Sequence, residues 1–388
     1  MSVSSVVVVG GGPAGLALAA HLHRAGIAVA LVEPRPARQL PAEHDLRTVA
    51  LTPSSLDLLA PLAIDWSRWR HVDYRRVRVE DADASAQVNF DAAQMGVPRL
   101  GRLIENAVLQ AALQSCVDAL AIPQYEQRVV ATALERGRRC LYLDQQVCLQ
   151  ADLVIACDGV HSPMRTLLAI ESSRHDYAQS ALVACVQHSG SAADLAWQRF
   201  ERSYPLAMLP LPELGQGPSS NVVWSLPRHQ AETLAELEAA DFLDLLQRQL
   251  PPEYGRLQGL SGRALYPLVA RHAQTYIAER AVLVGDAAHA IHPLAGQGLN
   301  LGFADVRVLG EELLRLHGRG LSLAEPLGLR RYERRRRPAN ARMQKGMEWI
   351  QLAFAEHGPG WSLLRAEGLR WLERYAGLRH PLGRQAWG

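Results

Sequence analysis

Three short segments hold residues whose types and spacing could do chemistry. The first, Gly10-Gly11-Gly12-Pro13-Ala14-Gly15, follows the β-branched run Val6 to Val9 and opens an apolar stretch from Leu16 to Ala25. A second apolar run from Ala28 ends at Glu33, 18 residues beyond the last glycine. In this G-x-G-x-x-G setting Gly10 permits the tight turn, Gly12 lets a pyrophosphate approach the backbone, and Gly15 lets helix pack close on strand. Glu33 would accept hydrogen bonds from ribose hydroxyls. The second segment is Asp158-Gly159, at the end of the apolar run Leu149 to Cys157. The third runs from Arg280 to Asp305: a short apolar strand, a turn at Gly285-Asp286, a glycine-rich loop, and a helix with apolar residues three or four apart from Leu299 to Leu316. Backbone N–H groups and a helix dipole there would face an anion. The plainer reading is a strand–helix connection whose glycines only make the turn.

The elements that position these segments alternate between two kinds. Val6–Val9, Ala28–Val32 and Leu149–Cys157 read as strands buried in a parallel sheet. Val77 and Val79, then Val88 and Phe90, alternate with polar residues and read as half-exposed antiparallel strands. The antiparallel pattern resumes from about residue 171 to 270, with strands at Ala181–Val186, Pro205–Pro210 and Asn221–Leu226 and one helix over Ala231–Leu250. The predicted fold is α/β: a Rossmann-like dinucleotide-binding domain (1–73, 99–170 and 271–340) interleaved with an antiparallel β-sheet substrate domain (74–98 and 171–270), followed by C-terminal helices (341–388).

Composition narrows the function. Of the 388 residues 48% are apolar and 21% charged, enough for a full core. The balance of 41 basic and 39 acidic residues speaks against a nucleic-acid partner. Five cysteines without C-x-x-C or zinc spacing suit a reducing compartment and offer no metal site. No secretory signal and no apolar run of about 18 residues is present, so a cytoplasmic protein is expected, with peripheral attachment to the inner face of a membrane as an open extension. The arginine run from Arg330 to Arg342 reads as a solvated helix face, or as a patch for anionic lipid or an acidic partner. Trp349, Leu352, Phe354, Trp361 and the later aromatic residues of the tail read as packing against the body, or as a partly exposed apolar surface for a lipid or partner.

Taken together and in this order, the three motifs resemble the single-component (class A) flavin aromatic monooxygenases, with the p-hydroxybenzoate hydroxylase-like fold, over nearly the whole chain. The segments Asp45–Leu51, Ile104-Glu105-Asn106, Ala196–Phe200, Pro205–Leu211 and Val223-Trp224 are similar to the ubiquinone-biosynthesis branch of that family. Tyr204 departs from it, standing where a glycine is expected. The resemblance implies an extended FAD, its ADP on Gly10–Gly15 and Glu33. Asp286 would hold the ribityl hydroxyls, Pro293 would lie beside the flavin ring, and Gly296, Gln297, Gly298, Leu299 and Asn300 would meet its polar edge. Preorganised N–H groups at that edge would stabilise the negative charge of reduced flavin. Asp158 would serve flavin and nicotinamide. Arg47 would meet the pyrophosphate, or only make a surface salt bridge, and Asn106 stands where many members carry arginine.

The implied reaction takes hydride from NADPH or NADH onto FAD, adds dioxygen to give a flavin hydroperoxide, and hydroxylates a prenylated phenol or another small aromatic ring. The cofactor carries that chemistry while the protein positions the ring and excludes water. His289 and His292 could carry protons or simply build the loop, and no catalytic base is assigned. Leu206, Met208, Leu209, Pro210 and Trp224 are candidates for the substrate wall, or an ordinary apolar sheet face. No cysteine pair adjoins the first motif, against a disulfide reductase, and Lys345 is the only lysine, against a tryptophan-type halogenase. A structural flavoprotein subunit of a quinone-biosynthesis complex is the non-enzymatic alternative.

Overall fold

A computed structural model describes residues 2–37, 42–82, 86–201, 204–213, 217–291 and 298–355. Its frame is a sheet in which Ala281–Leu283, Cys148–Ala156, Ser2–Val9, Val29–Val32 and Gln124–Tyr125 run parallel and in that order. Val6, Val7 and Val8 are sealed from solvent, the state expected of a β-branched strand covered on both faces. The helix Pro13–Arg24 follows the first strand and packs against two others, Asn106–Ala119 and Gly298–His317.

The second sheet has eight strands, in the order His289–Ala290, Leu257–Ala273, Ser172–His188, Ser219–Pro227, Tyr204–Leu211, Leu195–Glu201, Arg76–Asp81 and Ala86–Asp91. All its pairings are antiparallel except that of Leu195–Glu201 with Arg76–Asp81. Two of these strands are 17 residues long, and their pairing shifts between Asp176 and Ser180, where Ala178 takes a positive φ of 54°. A third, small sheet of Thr48–Leu51, Gly101–Glu105 and Val72–Tyr74 was not foreseen. It fixes the segment that ends at Arg47.

Three expectations change. The helix anticipated over Ala231–Leu250 is two helices, Arg228–Glu236 and Ala239–Gln247, with extended backbone at Leu237 and Glu238. The Arg263 guanidinium donates to the carbonyls of Leu234 and Leu237 and lies 5.1 Å from the Phe242 ring centre, so it satisfies the end of the first helix from the neighbouring sheet. The helix Pro326–Ala355 runs straight through the 340/341 boundary. Its Trp349 is 71% exposed and Leu352 is exposed too, so neither packs against the body. Residues 356–388, with Trp361 and the later aromatic residues of the tail, lie outside the described residues.

The two faces of the larger sheet have different fates. Leu206, Met208 and Trp224 share a face with Leu182 and pack under the two short helices against Phe242, Leu246 and Tyr254. This is the sealed core face, and the unexpected Tyr204 packs against the same cluster. Pro210 is buried in register with Met208. Leu209 points the other way, to Tyr74, Leu100 and Leu103. The side chains of Leu206, Met208 and Trp224 therefore serve packing rather than a substrate wall, because strand alternation turns them away from the other half. Met208 is fully buried, so Met208→Ala should cost about 2–5 kcal/mol of stability. Urea unfolding of the purified protein measures this, and a cost under about 1 kcal/mol would contradict the packing.

Candidate active site

Close backbone approach brings the three motifs to one place. A Cβ added to Gly10 would lie 2.3 Å from the Cys157 carbonyl oxygen, and one on Gly15 2.0 Å from the Gly10 oxygen. Only glycine permits strand, loop and helix to meet so tightly there. Gly12 is different, since a Cβ there would meet nothing within 4 Å. Gly285 and Gly302 pack against each other and against Ala14, which seats the amino end of the helix Gly298–His317 beside that of Pro13–Arg24. Two helix amino ends and the open side of Gly12 thus converge, a geometry that suits an extended dinucleotide.

Each anticipated residue has a definite place. The Glu33 carboxylate accepts from the Gly11 N–H at 2.6 Å and the Arg35 N–H at 2.8 Å, and its remaining lone pairs can take further donors. Asp158 accepts from the Ser162 hydroxyl at 2.5 Å and the Met164 N–H at 2.8 Å. Burial raises its carboxyl above the usual range against those two bonds. The Arg47 guanidinium is exposed and lies 3.8 Å from the Asp45 carboxylate, a pair of little energetic weight. The Asn106 N–H donates to the Arg47 carbonyl at 2.8 Å. Asp286 is open to solvent between buried Gly285 and Ala287, yet the protein around it displaces enough water to raise its carboxyl. The Asn300 side chain is engaged by the segment from Ala50 to Ser55. It donates to the Ala50 carbonyl at 2.8 Å and accepts from the Thr52 N–H at 3.2 Å and the Ser55 hydroxyl at 2.7 Å. Gly298, Leu299 and Asn300 form the first turn of their helix, where backbone N–H groups lack intrahelical partners. Pro293, Gly296, Gln297 and His292 lie outside the described residues.

Several supporting residues had no role assigned from the sequence. Buried Arg165 donates to the Ala287 and Val160 carbonyls at 2.8 and 3.0 Å and ties the second motif to the third. Gln110 donates to the Gly11 carbonyl at 2.7 Å. Most consequential is Asp305, fully buried on the helix Gly298–His317. One of its oxygens accepts from the Gly285 N–H at 3.1 Å and bonds His289 Nε2 at 2.5 Å; the other accepts from Arg336 Nε at 2.6 Å and Asn340 Nδ2 at 3.1 Å. Burial alone would raise this carboxyl, but His289 and Arg336 draw it down to about 2. An acid within an otherwise apolar helix face was the available signal. His289 is thereby a loop-building residue. Arg336 is the exception in an arginine run whose Arg330, Arg331, Arg334, Arg335, Arg337 and Arg342 are exposed.

The fold and the converging motifs define a flavin-dependent monooxygenase, with a second, mostly antiparallel sheet inserted into a dinucleotide-binding half. Residues 3–346 match the family described as FAD binding domain, and the chain belongs to that family. It is 33% identical to the 3-demethoxyubiquinol 3-hydroxylase of Escherichia coli, over 99% of this chain and 98% of that one. It is 31% identical to the ubiquinone hydroxylase UbiL of Rhodospirillum rubrum, covering 100% and 90%. Among solved structures, PqsL of Pseudomonas aeruginosa superposes with a TM-score of 0.77 at 21% identity, over 95% of this chain and 100% of that one, a likeness of fold.

The Asp305 cluster has a calculable acid response. Its folded value of about 2 lies below the ordinary 3.8, so its contribution to stability is complete above 3.8 and is lost as pH falls through about 2. Asp305→Asn should lower stability at neutral pH by about 3–5 kcal/mol, because Arg336 keeps its charge without a counter-ion. It should also flatten the acid limb below 3.8. Urea midpoints of wild type and variant across that range check both, and parallel acid limbs would refute the assignment.

Proposed function

We propose that this chain is an NAD(P)H-consuming, FAD-dependent hydroxylase that acts on the aromatic ring of a prenylated phenol in ubiquinone biosynthesis. The observation that carries this reading is the end-to-end likeness to the 3-demethoxyubiquinol 3-hydroxylase, on a chain that keeps all three flavin motifs. Residues 1–73, 99–170 and 271–340 would hold FAD, residues 74–98 and 171–270 the aromatic substrate, and residues 341–388 would form the tail.

Within the first part, the N–H groups of Gly10–Gly15 and exposed Arg47 would hold the pyrophosphate, Glu33 the adenosine ribose and Asp286 the ribityl chain. The first turn of the Gly298–His317 helix, with Pro293, Gly296 and Gln297 before it, would meet the ring edge. Asp158 and Asn106 would complete the shell. When bound, FAD supplies activation of dioxygen once a nicotinamide has reduced it. The substrate ring is assigned to the sheet face opposite Leu206, Met208 and Trp224, where Leu209 and Val223 look toward the flavin half. The exposed arginines, with Trp349 and Leu352, would hold the protein at an anionic lipid surface. Binding to anionic vesicles that fails to weaken with salt would exclude an electrostatic attachment.

Purified, FAD-loaded protein should consume NAD(P)H faster when a short-chain prenylated phenol is added, and the product should gain one oxygen by mass spectrometry. No stimulation and no oxygenated product with any phenol would overturn the reading in favour of a structural flavoprotein. Gly12→Ala should leave the fold intact, since its φ of −71° suits alanine, and weaken FAD binding by about 10- to 100-fold. Gly15→Ala should instead destabilise the apoprotein, and equal effects of the two on apoprotein stability would contradict the cradle.

A further inference from the structure

Between the segment before Arg47 and the face of the larger sheet that packs on Leu46 lies a polar seam that the flavin motifs do not use. Glu105 is fully buried at the end of the small sheet. Arg70 grips its carboxylate at both oxygens, at 2.9 and 2.8 Å, and the Asp45 N–H donates to it at 2.8 Å. Burial works to raise the Glu105 carboxyl, but His44, Arg70 and that N–H together hold it below the usual carboxylate range. Its remaining bond, at 2.8 Å, is to Nδ1 of His44, whose side chain is only 5% exposed. An ionised carboxylate can only accept, so the hydrogen of this bond sits on Nδ1. In the neutral ring Nε2 is then an acceptor, and it is buried with no partner among the described residues.

Two further orphans border the same place. The Thr48 hydroxyl oxygen is buried without a partner among the described residues, and Thr48 pairs directly with Glu105 across the small sheet, so the two side chains share a face. Asn221, fully buried on the larger sheet, donates to the Leu46 carbonyl at 2.8 Å, while its own side-chain oxygen has no partner among the described residues. Leu46 packs with Val183, Val223 and Leu268, which gives the seam an apolar floor contributed by both halves. Buried polar atoms are nearly always satisfied, and an apolar surface with a few unsatisfied polar groups is how a small-molecule site is composed. Arg47 and Asn106, both assigned to FAD, adjoin His44 and Glu105 in the chain.

We infer that this seam receives the oxygenated head of the aromatic substrate and that His44 is a catalytic residue, its Nε2 taking the phenol proton. The inference rests on the hydroxylase reading above. In this step the phenol O–H bond breaks, an N–H bond forms on Nε2, and the electron pair stays on the phenolate oxygen, enriching the ring for attack by an electrophilic oxygen. Glu105 stabilises the imidazolium through Nδ1–H, in the way a carboxylate orients and supports a histidine base. The proton returns to the product oxygen before release. Thr48 and Asn221 fix the head by hydrogen bonds.

The test uses FAD-loaded protein and, as probe, a soluble phenol carrying one isoprenyl unit. Bound to wild type at a pH where the free probe is neutral, the phenol should show the near-ultraviolet phenolate band. His44→Asn retains a donor for Glu105 at the Nδ1 position but has no Nε2. It should keep its FAD and bind the probe without the band, with kcat lower by about 100-fold or more. Thr48→Val, which removes one hydroxyl that has no partner in the fold, should raise KM about two- to tenfold with kcat little changed. A phenolate band in His44→Asn equal to that of wild type, or probe binding insensitive to both substitutions, would overturn the role of the seam while leaving the hydroxylase reading in place. Absence of any probe-stimulated turnover in wild type would instead remove that reading, and this inference with it.

Discussion

A single buried carboxylate sets the geometry on which the flavin half depends. Asp305 gathers a backbone N–H from the Gly285 turn, an imidazole, a guanidinium and an amide around two oxygens, with no solvent contact. A buried charge is tolerable only when its bonding is complete, so each partner has little freedom to move. The turn before Asp286 is therefore held by the helix Pro326–Ala355, through Arg336 and Asn340, as firmly as by its own strand. Pro338 lies between these two helix residues and removes a backbone donor there, yet both side chains still reach the same carboxylate.

The sequence disclosed the parts of the fold that obey local periodicity. Continuous apolar runs such as Val6–Val9 became the parallel sheet, alternating ones such as Arg76–Glu80 became the antiparallel sheet, and glycine spacing located the turns. It did not disclose what long-range side chains decide. Arg263 meets the end of a helix from a neighbouring strand, and that cannot be read from the helix itself. The direction faced by Leu206, Met208 and Trp224 depends on which side of the sheet the two short helices cover. Alternation alone identifies a face without saying which one. Asp305, Arg165 and Glu105 escaped because a charged residue inside an apolar pattern reads equally as a core ion pair or an interruption.

The same logic separates the roles of polar residues in the two halves. In the flavin half the buried charges are engaged by their neighbours: Asp305 meets four hydrogen-bond partners, and Arg165 donates to two backbone carbonyls. Such groups position backbone and present nothing further. Between the halves lie His44, Thr48 and Asn221, whose buried polar atoms are without partners among the described residues, beside an apolar floor. Rigidity and recognition are thus assigned to adjoining but different sets of residues.

The bonds from Asn300 to Ala50, Thr52 and Ser55 close loops of about 250 residues. On the ribosome the Gly10–Gly15 loop is made first, while the helix that flanks it emerges only after the whole inserted sheet. The nascent chain must therefore carry an incomplete nucleotide cradle, with apolar surface uncovered, through most of its synthesis. Sequence-distant closure of this kind makes assembly slow, and an early-captured dinucleotide cannot substitute for a helix not yet synthesised. Late exposure of that surface is accordingly a property of the interleaved topology rather than of any weak spot in the finished protein.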